Sequence, residues 1–386
     1  MKGFRLLFLS LFYLILFEFG LRFFDPEEVL VKPFDSQVLF GFYPEKTAIT
    51  VSEEYKFKTQ TNSEGYRQTT LNPTSPQILL LGDSFSEGWG VDETETYAYL
   101  WNQKHPNDPI KNLAIHGGNP VLLYFHLRKA LETYTPKEVW LQIFDNDLDD
   151  SWKFQNFVRV MATNSSDPSQ SPKIQHFEIA KPMSVRILGE TVYNHFKTSV
   201  LFRLGKRVFS FFQKKTEPIL YYKPGKEPKT QILNHSEAIA KFGKNESIGD
   251  RIFEKYNGQF RFYKNPESLE NQDLFAIEKK FLESIHDMVS QKKLKLRILY
   301  IPAKEFFAPK GILGTEKEYS QKNFLEKNPH HQLLKQFCEG KKLDCIFSSA
   351  EFFYKTPEDL YFPYDAHWNA KGHQEFAKVL EEKIKP

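Results

Sequence analysis

Charge of one sign is scarce: 52 basic against 49 acidic residues leave a formal net charge of only +3 over 386 residues. So small an excess gives no reason to expect nucleic acid as a partner. Cysteine is rarer still. Cys338 and Cys345 are the only two, with six residues between them, and that spacing fits no zinc pattern. In an exported protein they would form a local disulfide between the end of a helix and a strand starting near Leu343; two packed thiols are the alternative. No internal repeat and no long low-complexity run is present, so a repeat architecture is excluded. A long hydrophobic run is missing too. Leu6 to Phe17 is uncharged, whereas a spanning helix usually needs ~20 apolar residues.

What is present begins at the amino terminus. Lys2 and Arg5 precede the Leu6–Phe17 run, the order of a basic region and apolar core read by export machinery. The flank Phe17, Glu18, Phe19, Gly20, Leu21 offers no small-x-small cleavage site. Residues 1–24 are therefore expected to be an uncleaved signal anchor, lengthened through Leu21, Phe23 and Phe24. That would anchor the protein in a membrane and place it on the extracytoplasmic side, periplasmic or cell-surface. A buried amphipathic helix is the competing reading, and it fits less well because residues 6–17 are apolar on all faces. Hydrophobic residues make up 40% and charged residues 26%, an ordinary globular balance. The 37 phenylalanines supply ample core, with a surplus for greasy or sugar-like ligands.

Residues 25–76, with their Pro and Gly punctuation and the alternating stretch Val51–Thr61, predict a β-rich extension whose turn is Asn62-Ser63-Glu64-Gly65. From Gln77 strands alternate with helices. Ile78–Leu81 is a continuous apolar run, as in a strand covered on both faces. A helix is expected near Asp92, where Asp92 and Glu95 stand at capping-box spacing, ending before Pro106. Asn112–Ile115 reads as a second strand. Asn119 as N-cap and Pro120 as first helical residue open the next helix, which stops before Pro136. An apolar strand follows at Val139–Phe144. The alternation lapses over about 150–271, an insertion in which the basic aromatic stretch Val200–Phe212 reads as a helix packed on the core rather than on a membrane surface. It resumes with a helix at Phe275–Val289, strands at Leu296–Ile301 and Leu343–Phe347, and a last helix over Asn369–Ile384. The pattern predicts a doubly wound α/β fold with a flavodoxin-like parallel sheet, its domain running from 77 to 386.

In open α/β sheets ligands bind beyond the carboxyl ends of the strands. Four polar segments fall there or just before the last helix. Gly82-Asp83-Ser84 places a hydroxyl at the mouth of a helix, where backbone N–H groups favour negative charge on oxygen. Gly117 follows a strand and lets its N–H approach a ligand. Asn146 follows another and can donate to a developing oxyanion. Asp365, two residues before His367, suits a carboxylate that orients an imidazole, and His367 would shuttle the Ser84 proton. Each segment also has a plain structural reading as cap or turn. His373 lies within the last helix and reads as structural or surface-exposed. Arg67 ends the Asn62–Arg67 element, which is expected to be a plain surface hairpin; the alternative is that it brings Arg67 towards the site. The carboxylates Asp145, Asp147, Asp149 and Asp150 lack the Gly and Glu of a calcium loop, so no metal and no cofactor is expected.

Taken together, these residues resemble the SGNH hydrolase superfamily, the GDSL esterases. The nucleophile block is similar to Gly82-Asp83-Ser84-Phe85, and the Asn-x-x-x-x-Gly block to Asn112–Gly117. Asn146-Asp147 match the Gly-x-Asn-Asp block, with Phe144 in place of its Gly. Asp365-Ala366-His367 is one residue shorter than the usual Asp-x-x-His. That spacing is similar to the Asp-x-His-Trp of the alginate O-acetyltransferase-like branch, although here the motif follows the Ser, as in the hydrolases. The resemblance spans Gln77–Asp147 and roughly Phe275 to the end. It implies Ser84, His367 and Asp365 as catalytic residues and an oxyanion hole from the N–H groups of Ser84 and Gly117 and the side chain of Asn146. An ester hydrolase acting on an acylated envelope carbohydrate or a lipid ester is expected. The alternatives are an O-acyltransferase for an envelope sugar and a non-catalytic sugar-binding or assembly protein.

Overall fold

The computed structural model describes residues 30–162, 174–179, 219–221, 231–233, 267–303, 328–348 and 360–384, apart from 53, 68, 70, 72, 302, 363, 364 and 366, together with 8–10, 12–14, 16–18 and 20. Two antiparallel hairpins come first: β1 (Val31–Asp35) with β2 (Leu39–Phe42), and β3 (Thr47–Val51) with β4 (Lys56–Gln60). In β4 the alternation is plain, Phe57 and Thr59 facing inward and Lys56, Lys58 and Gln60 outward. The stretch Val51–Thr61 is thus the turn and second arm of a hairpin. Asn62 then makes the expected turn, its side chain accepting from the N–H groups of Glu64 and Tyr66.

The main body follows as β5 (Ile78–Leu81), α1 (Ser84–Glu87), α2 (Tyr97–Lys104), β6 (Ile110–Asn112), α3 (Pro120–Thr133), β7 (Glu138–Phe144) and α4 (Asp147–Gln155). Two short antiparallel pairs come next, β8 (Val158–Ala162) with β9 (Ile174–Ile179) and β10 (Ile219–Tyr221) with β11 (Gln231–Leu233). Then come α5 (Leu269–Gln291), β12 (Lys295–Ile301), α6 (Pro329–Lys341), β13 (Asp344–Phe347) and α7 (Ala370–Lys383). Five strands form one sheet in the order β13-β12-β7-β5-β6, every pair parallel. This is the flavodoxin-like order, with its switch point between β5 and β7.

The continuous apolar strands explain the double winding. In β5, Ile78 and Leu80 join one core cluster, with Trp101, Trp140, Phe376 and Leu380 from the side of α2 and α7. Leu79 and Leu81 join the other, with Leu123, Leu127, Leu282 and Ile285 from α3 and α5. Each face is sealed by helices, and a Leu→Ala change in either cluster would cost ~2–5 kcal/mol. Asn119 caps α3 through the N–H of Leu122, with Pro120 first in the helix, as expected.

Several boundaries moved, each for a local reason. The capping box at Asp92 and Glu95 is real, but it caps only a 3-10 turn at Glu93–Glu95; the helix starts at Tyr97 under the Thr96 hydroxyl. The second strand lies at Ile110–Asn112 rather than Asn112–Ile115; past it the Asn112 side chain takes the N–H of Ala114, while the N–H of Leu113 still bonds to Leu80 O at 2.8 Å. Helix α4 crosses the expected insertion boundary at 150. Phe177 of β9, fully buried, stacks at 4.2 Å on Phe281, so this part of the insertion is tied to the core. The stretch Val200–Phe212 lies outside the described residues. Cys338 and Cys345 form a disulfide joining α6 to β13.

At the amino terminus residues 8–10, 12–14, 16–18 and 20 are helical. Phe8, Phe12, Tyr13 and Phe17 are between 49% and 67% exposed, so they do not form a buried core helix. The rest of the expected anchor lies outside the described residues, and among those described no helix is long and apolar enough to cross a membrane.

Candidate active site

Parallel pairing brings the three strand-end loops together. Leu81 is opposite Leu141 and Leu80 is opposite Asn112, so the chain leaves β5, β6 and β7 at one edge of the sheet. Beyond β6 the chain keeps following the nucleophile turn: the N–H of Ile115 bonds to Gly82 O at 3.1 Å. A side chain at Gly118 would collide with that same Gly82 carbonyl, and Gly117 sits at φ 74°, in the left-handed region. Glycines are what allow this loop to lie against the turn.

Ser84 is the first residue of α1. Asp83, its N-cap, accepts the N–H of Phe85 at 2.8 Å. Gln142, buried in the middle of β7, accepts from the Asp83 N–H at 2.9 Å and the Ser86 hydroxyl at 2.8 Å. The strand expected to be apolar thus carries one amide, and that amide fixes the nucleophile turn. Arg67 braces the turn's far side, donating to the carbonyls of Glu87 (3.0 Å), Gly88 (2.6 Å) and Val91 (2.7 Å). It is buried, at 3% exposure, so the element carrying it is no plain surface hairpin.

Asp365 and His367 sit in a loop closed by a Tyr361–Trp368 bridge and by the Phe362 N–H to His367 O bond at 2.8 Å. This closure lets one intervening residue suffice between acid and imidazole. The Asn369 side chain then caps α7 through the N–H of Gly372. His367 Nε2 lies 2.7 Å from Ser84 Oγ, and its Nδ1 bonds to Asp365 Oδ1. The imidazole is also held by rings, with Phe85 at 5.1 Å and Trp89 at 6.2 Å.

Charge follows from this geometry. Burial opposes the imidazolium, but the Asp365 carboxylate outweighs it, and the His367 pKa rises above the usual imidazole value. Burial would raise the pKa of Asp365; the charge of His367 and the hydrogen bonds from His367 and Tyr55 overcome it and hold Asp365 at about 2. Asp83, wholly buried, is pushed up to about 7 by desolvation.

The oxyanion candidates are placed less completely. Asn146 does not cap its helix; its Nδ2 makes only a long 3.5 Å contact to Asp150, and its Oδ1 is buried without a partner. The Asx-turn alternative is therefore not what this side chain does. No acceptor engages the N–H of Ser84 or Gly117 among the described residues. His116, beside Gly117, pairs with Glu87 at 3.1 Å and packs between the buried ring of Phe42 (4.8 Å) and the half-buried ring of Trp89 (5.3 Å).

Beneath the site lies a buried polar cluster that the sequence did not announce. Asp145 accepts from the Tyr300 hydroxyl at 2.6 Å, the Ala303 N–H at 2.8 Å and His330 Nδ1 at 3.1 Å. The other nitrogen of His330 meets Glu278 at 2.7 Å. Burial disfavours the charge on His330, but the two carboxylates raise its pKa to about 9. This ion triad clamps the end of β7 next to Asn146. His373, by contrast, is buried against Tyr97, accepting its N–H at 3.4 Å, and is structural rather than exposed. Burial lowers its pKa to about 3.

An open parallel sheet with Ser, His and Asp linked at its switch point is the arrangement of an acyl-transfer site of the serine hydrolase kind. Its sequence blocks and sheet order resemble those of the SGNH/GDSL hydrolases. No protein-family model and no curated protein matches the chain. Solved structures similar to it include a lipolytic protein of the G-D-S-L family from Veillonella parvula, at 10% identity and TM-score 0.38, covering 80% of this chain and 97% of that one. An acetylxylan esterase from Geobacillus stearothermophilus is similar at 11% identity and TM-score 0.38, over 82% of this chain and 97% of that one. A psychrotrophic esterase from Pseudoalteromonas follows at 10% identity and TM-score 0.36, over 80% and 95%.

Proposed function

We propose that this protein is a serine ester hydrolase of the SGNH type. The 2.7 Å contact between His367 Nε2 and Ser84 Oγ, with Asp365 on the other ring nitrogen, carries the reading. Ser84 Oγ attacks the acyl carbon while its proton passes to His367 Nε2. The tetrahedral oxyanion is met by the N–H groups of Ser84 and Gly117 and by Asn146 Nδ2. Collapse expels the alcohol, which takes the proton back from His367. Water, deprotonated by the same imidazole, then attacks the acyl-Ser84 ester, and the free acid leaves.

The substrate class is an O-acylated carbohydrate or a lipid ester outside the cytoplasm. Three observations support that setting: Lys2 and Arg5 ahead of an apolar helical segment, the exposure of Phe8, Phe12 and Phe17 on it, and the Cys338–Cys345 disulfide. The half-buried rings of Trp89 and His116, 5.3 Å apart, support a sugar or acyl ligand. The test is turnover of nitrophenyl acetate and acetylated oligosaccharides by wild type and Ser84→Ala, with and without added free sugar. Ser84-dependent release of free acid is the expected result. Acyl transfer to the sugar in place of hydrolysis would make the protein a transferase. No Ser84-dependent turnover of any ester would leave a non-catalytic binding protein.

A further inference from the structure

The Asp365 carboxylate has two oxygens, and His367 engages only one. Oδ2 accepts from the phenol of Tyr55 at 2.7 Å, and the Tyr55 oxygen accepts from Trp89 Nε1 at 2.8 Å. The backbone N–H of Trp89 bonds to the carbonyl of Ser84 at 2.9 Å. The path Ser84–His367–Asp365–Tyr55–Trp89 therefore returns to Ser84. Glu54, next to Tyr55, accepts the backbone N–H of Asp365 at 2.7 Å. Two adjacent residues between β3 and β4 thus hold the acid loop by side chain and by backbone.

Donor chemistry gives the ring one direction. An indole N–H can only donate, so the Tyr55 oxygen must accept from Trp89 and send its own proton to the carboxylate. Burial first, then the neighbouring Asp365 charge, raises the Tyr55 pKa well above its ordinary value, so the phenol remains a donor. Aromatic contacts of the Tyr55 ring with Phe57 (5.6 Å) and Phe362 (4.9 Å) are separate from this hydroxyl. Tyr55→Phe would keep the ring contacts and lose the two bonds of the hydroxyl, the one to Asp365 and the one from Trp89.

We propose that Tyr55 is a positioning residue of the active site, locking Asp365 in the rotamer that presents His367 to Ser84, and that the N-terminal β3–β4 hairpin is therefore part of the catalytic unit. The inference rests on the hydrolase reading of the same site. A carboxylate with one oxygen on His367 and the other on Tyr55 cannot turn without breaking a charge-assisted bond. Without the Tyr55 hydroxyl, Asp365 Oδ2 loses that donor, while the loop keeps its backbone tie to Glu54 and its Tyr361–Trp368 closure.

The test uses the full chain carrying Tyr55→Phe, alone and combined with Asp365→Asn, with melting curves to confirm folding. Tyr55→Phe is expected to lower kcat for nitrophenyl acetate about tenfold with little change in KM, the size of one lost bond to a charged group. In the Asp365→Asn background the same change should cost nothing further, because the group it acts through is gone. An equal cost in both backgrounds, or no cost in either, overturns the proposal. A second measurement needs no turnover: NMR titration of His367 in wild type and Tyr55→Phe. The titration point should fall toward the free imidazole value, since the carboxylate holding it up has swung away. A point that stays or rises overturns the proposal. If wild type and Ser84→Ala are equally inactive, the hydrolase reading fails while the titration still decides the role of Tyr55.

Discussion

Ser84 Oγ and His367 Nε2 stand 2.7 Å apart although 283 residues separate them in the chain. The sheet makes that contact possible. Ser84 leaves the end of β5, and His367 ends a bridged loop that feeds α7, whose Phe376 and Leu380 share a core cluster with Leu80 of β5. Strand and helix are locked together by apolar packing, and the two side chains meet above the joint.

The pH dependence of turnover follows from the imidazole. His367 must be neutral to accept the Ser84 proton, and its pKa is raised by Asp365 against the opposing effect of burial. The acid limb of kcat/KM should therefore lie above the ordinary histidine value of about 6.5. Asp365 itself, held at about 2, stays ionised throughout that range. Asp365→Asn should move the limb downward and lower kcat by roughly 10^3- to 10^4-fold. A limb that does not move would separate Asp365 from the imidazole.

Asn146→Ala should lower kcat by about 100- to 1000-fold, the usual cost of one oxyanion donor. Folding should be unaffected, because the Asn146 side chain caps nothing and makes only a 3.5 Å contact. Steady-state kinetics with a melting curve checks both halves. Unchanged turnover would remove Asn146 from the reaction.

Stability should fall in alkali through His330. Its pKa is about 9 in the folded protein against about 6.5 when unfolded, so its contribution is complete below pH ~6.5 and lost as pH rises through ~9. The loss amounts to about 3 kcal/mol. Urea unfolding of wild type and His330→Gln at several pH values isolates it. The difference in unfolding free energy between the two should shrink by that amount between pH 6.5 and 10, and a constant difference would show that His330 carries no charge.

The Cys338–Cys345 disulfide closes a short loop between α6 and β13, at the sheet edge away from β5. Replacing both cysteines by serine should cost about 2 kcal/mol, from the entropy regained by the unfolded chain. Turnover at 25 °C should be unchanged. A lost activity with an intact melting transition would tie this edge to the site in some way the contacts do not show.

How much of this could be read in advance depends on distance along the chain. Strands covered on both faces were legible where the run is free of polar residues, as at Ile78–Leu81; β6, which carries Lys111 and Asn112, was placed two residues late. Helix starts were legible where cap and proline fall together, as at Asn119-Pro120. The Asp365–His367 pair was visible because its two members are neighbours. Tyr55 was not: it meets its carboxylate across 310 residues, from an extension that reads as an appendage. Gln142 reaches Ser86 across 56 residues, and His330 reaches Asp145 across 185. A buried amide or imidazole of this kind leaves no periodic trace, since its partner is chosen by the fold. The Asp92 box misled in the opposite way, being correct chemistry attached to too short a helix.

An activated Ser84 should react with a phosphonylating agent where an ordinary serine would not. Mass spectrometry of the full chain after treatment with a fluorophosphonate reads this out. Wild type should carry one phosphonyl group on the peptide containing Ser84; Ser84→Ala should carry none, and His367→Ala should react slower by at least about 100-fold. Phosphonylation of a different residue, or none in folded wild type, would contradict the account.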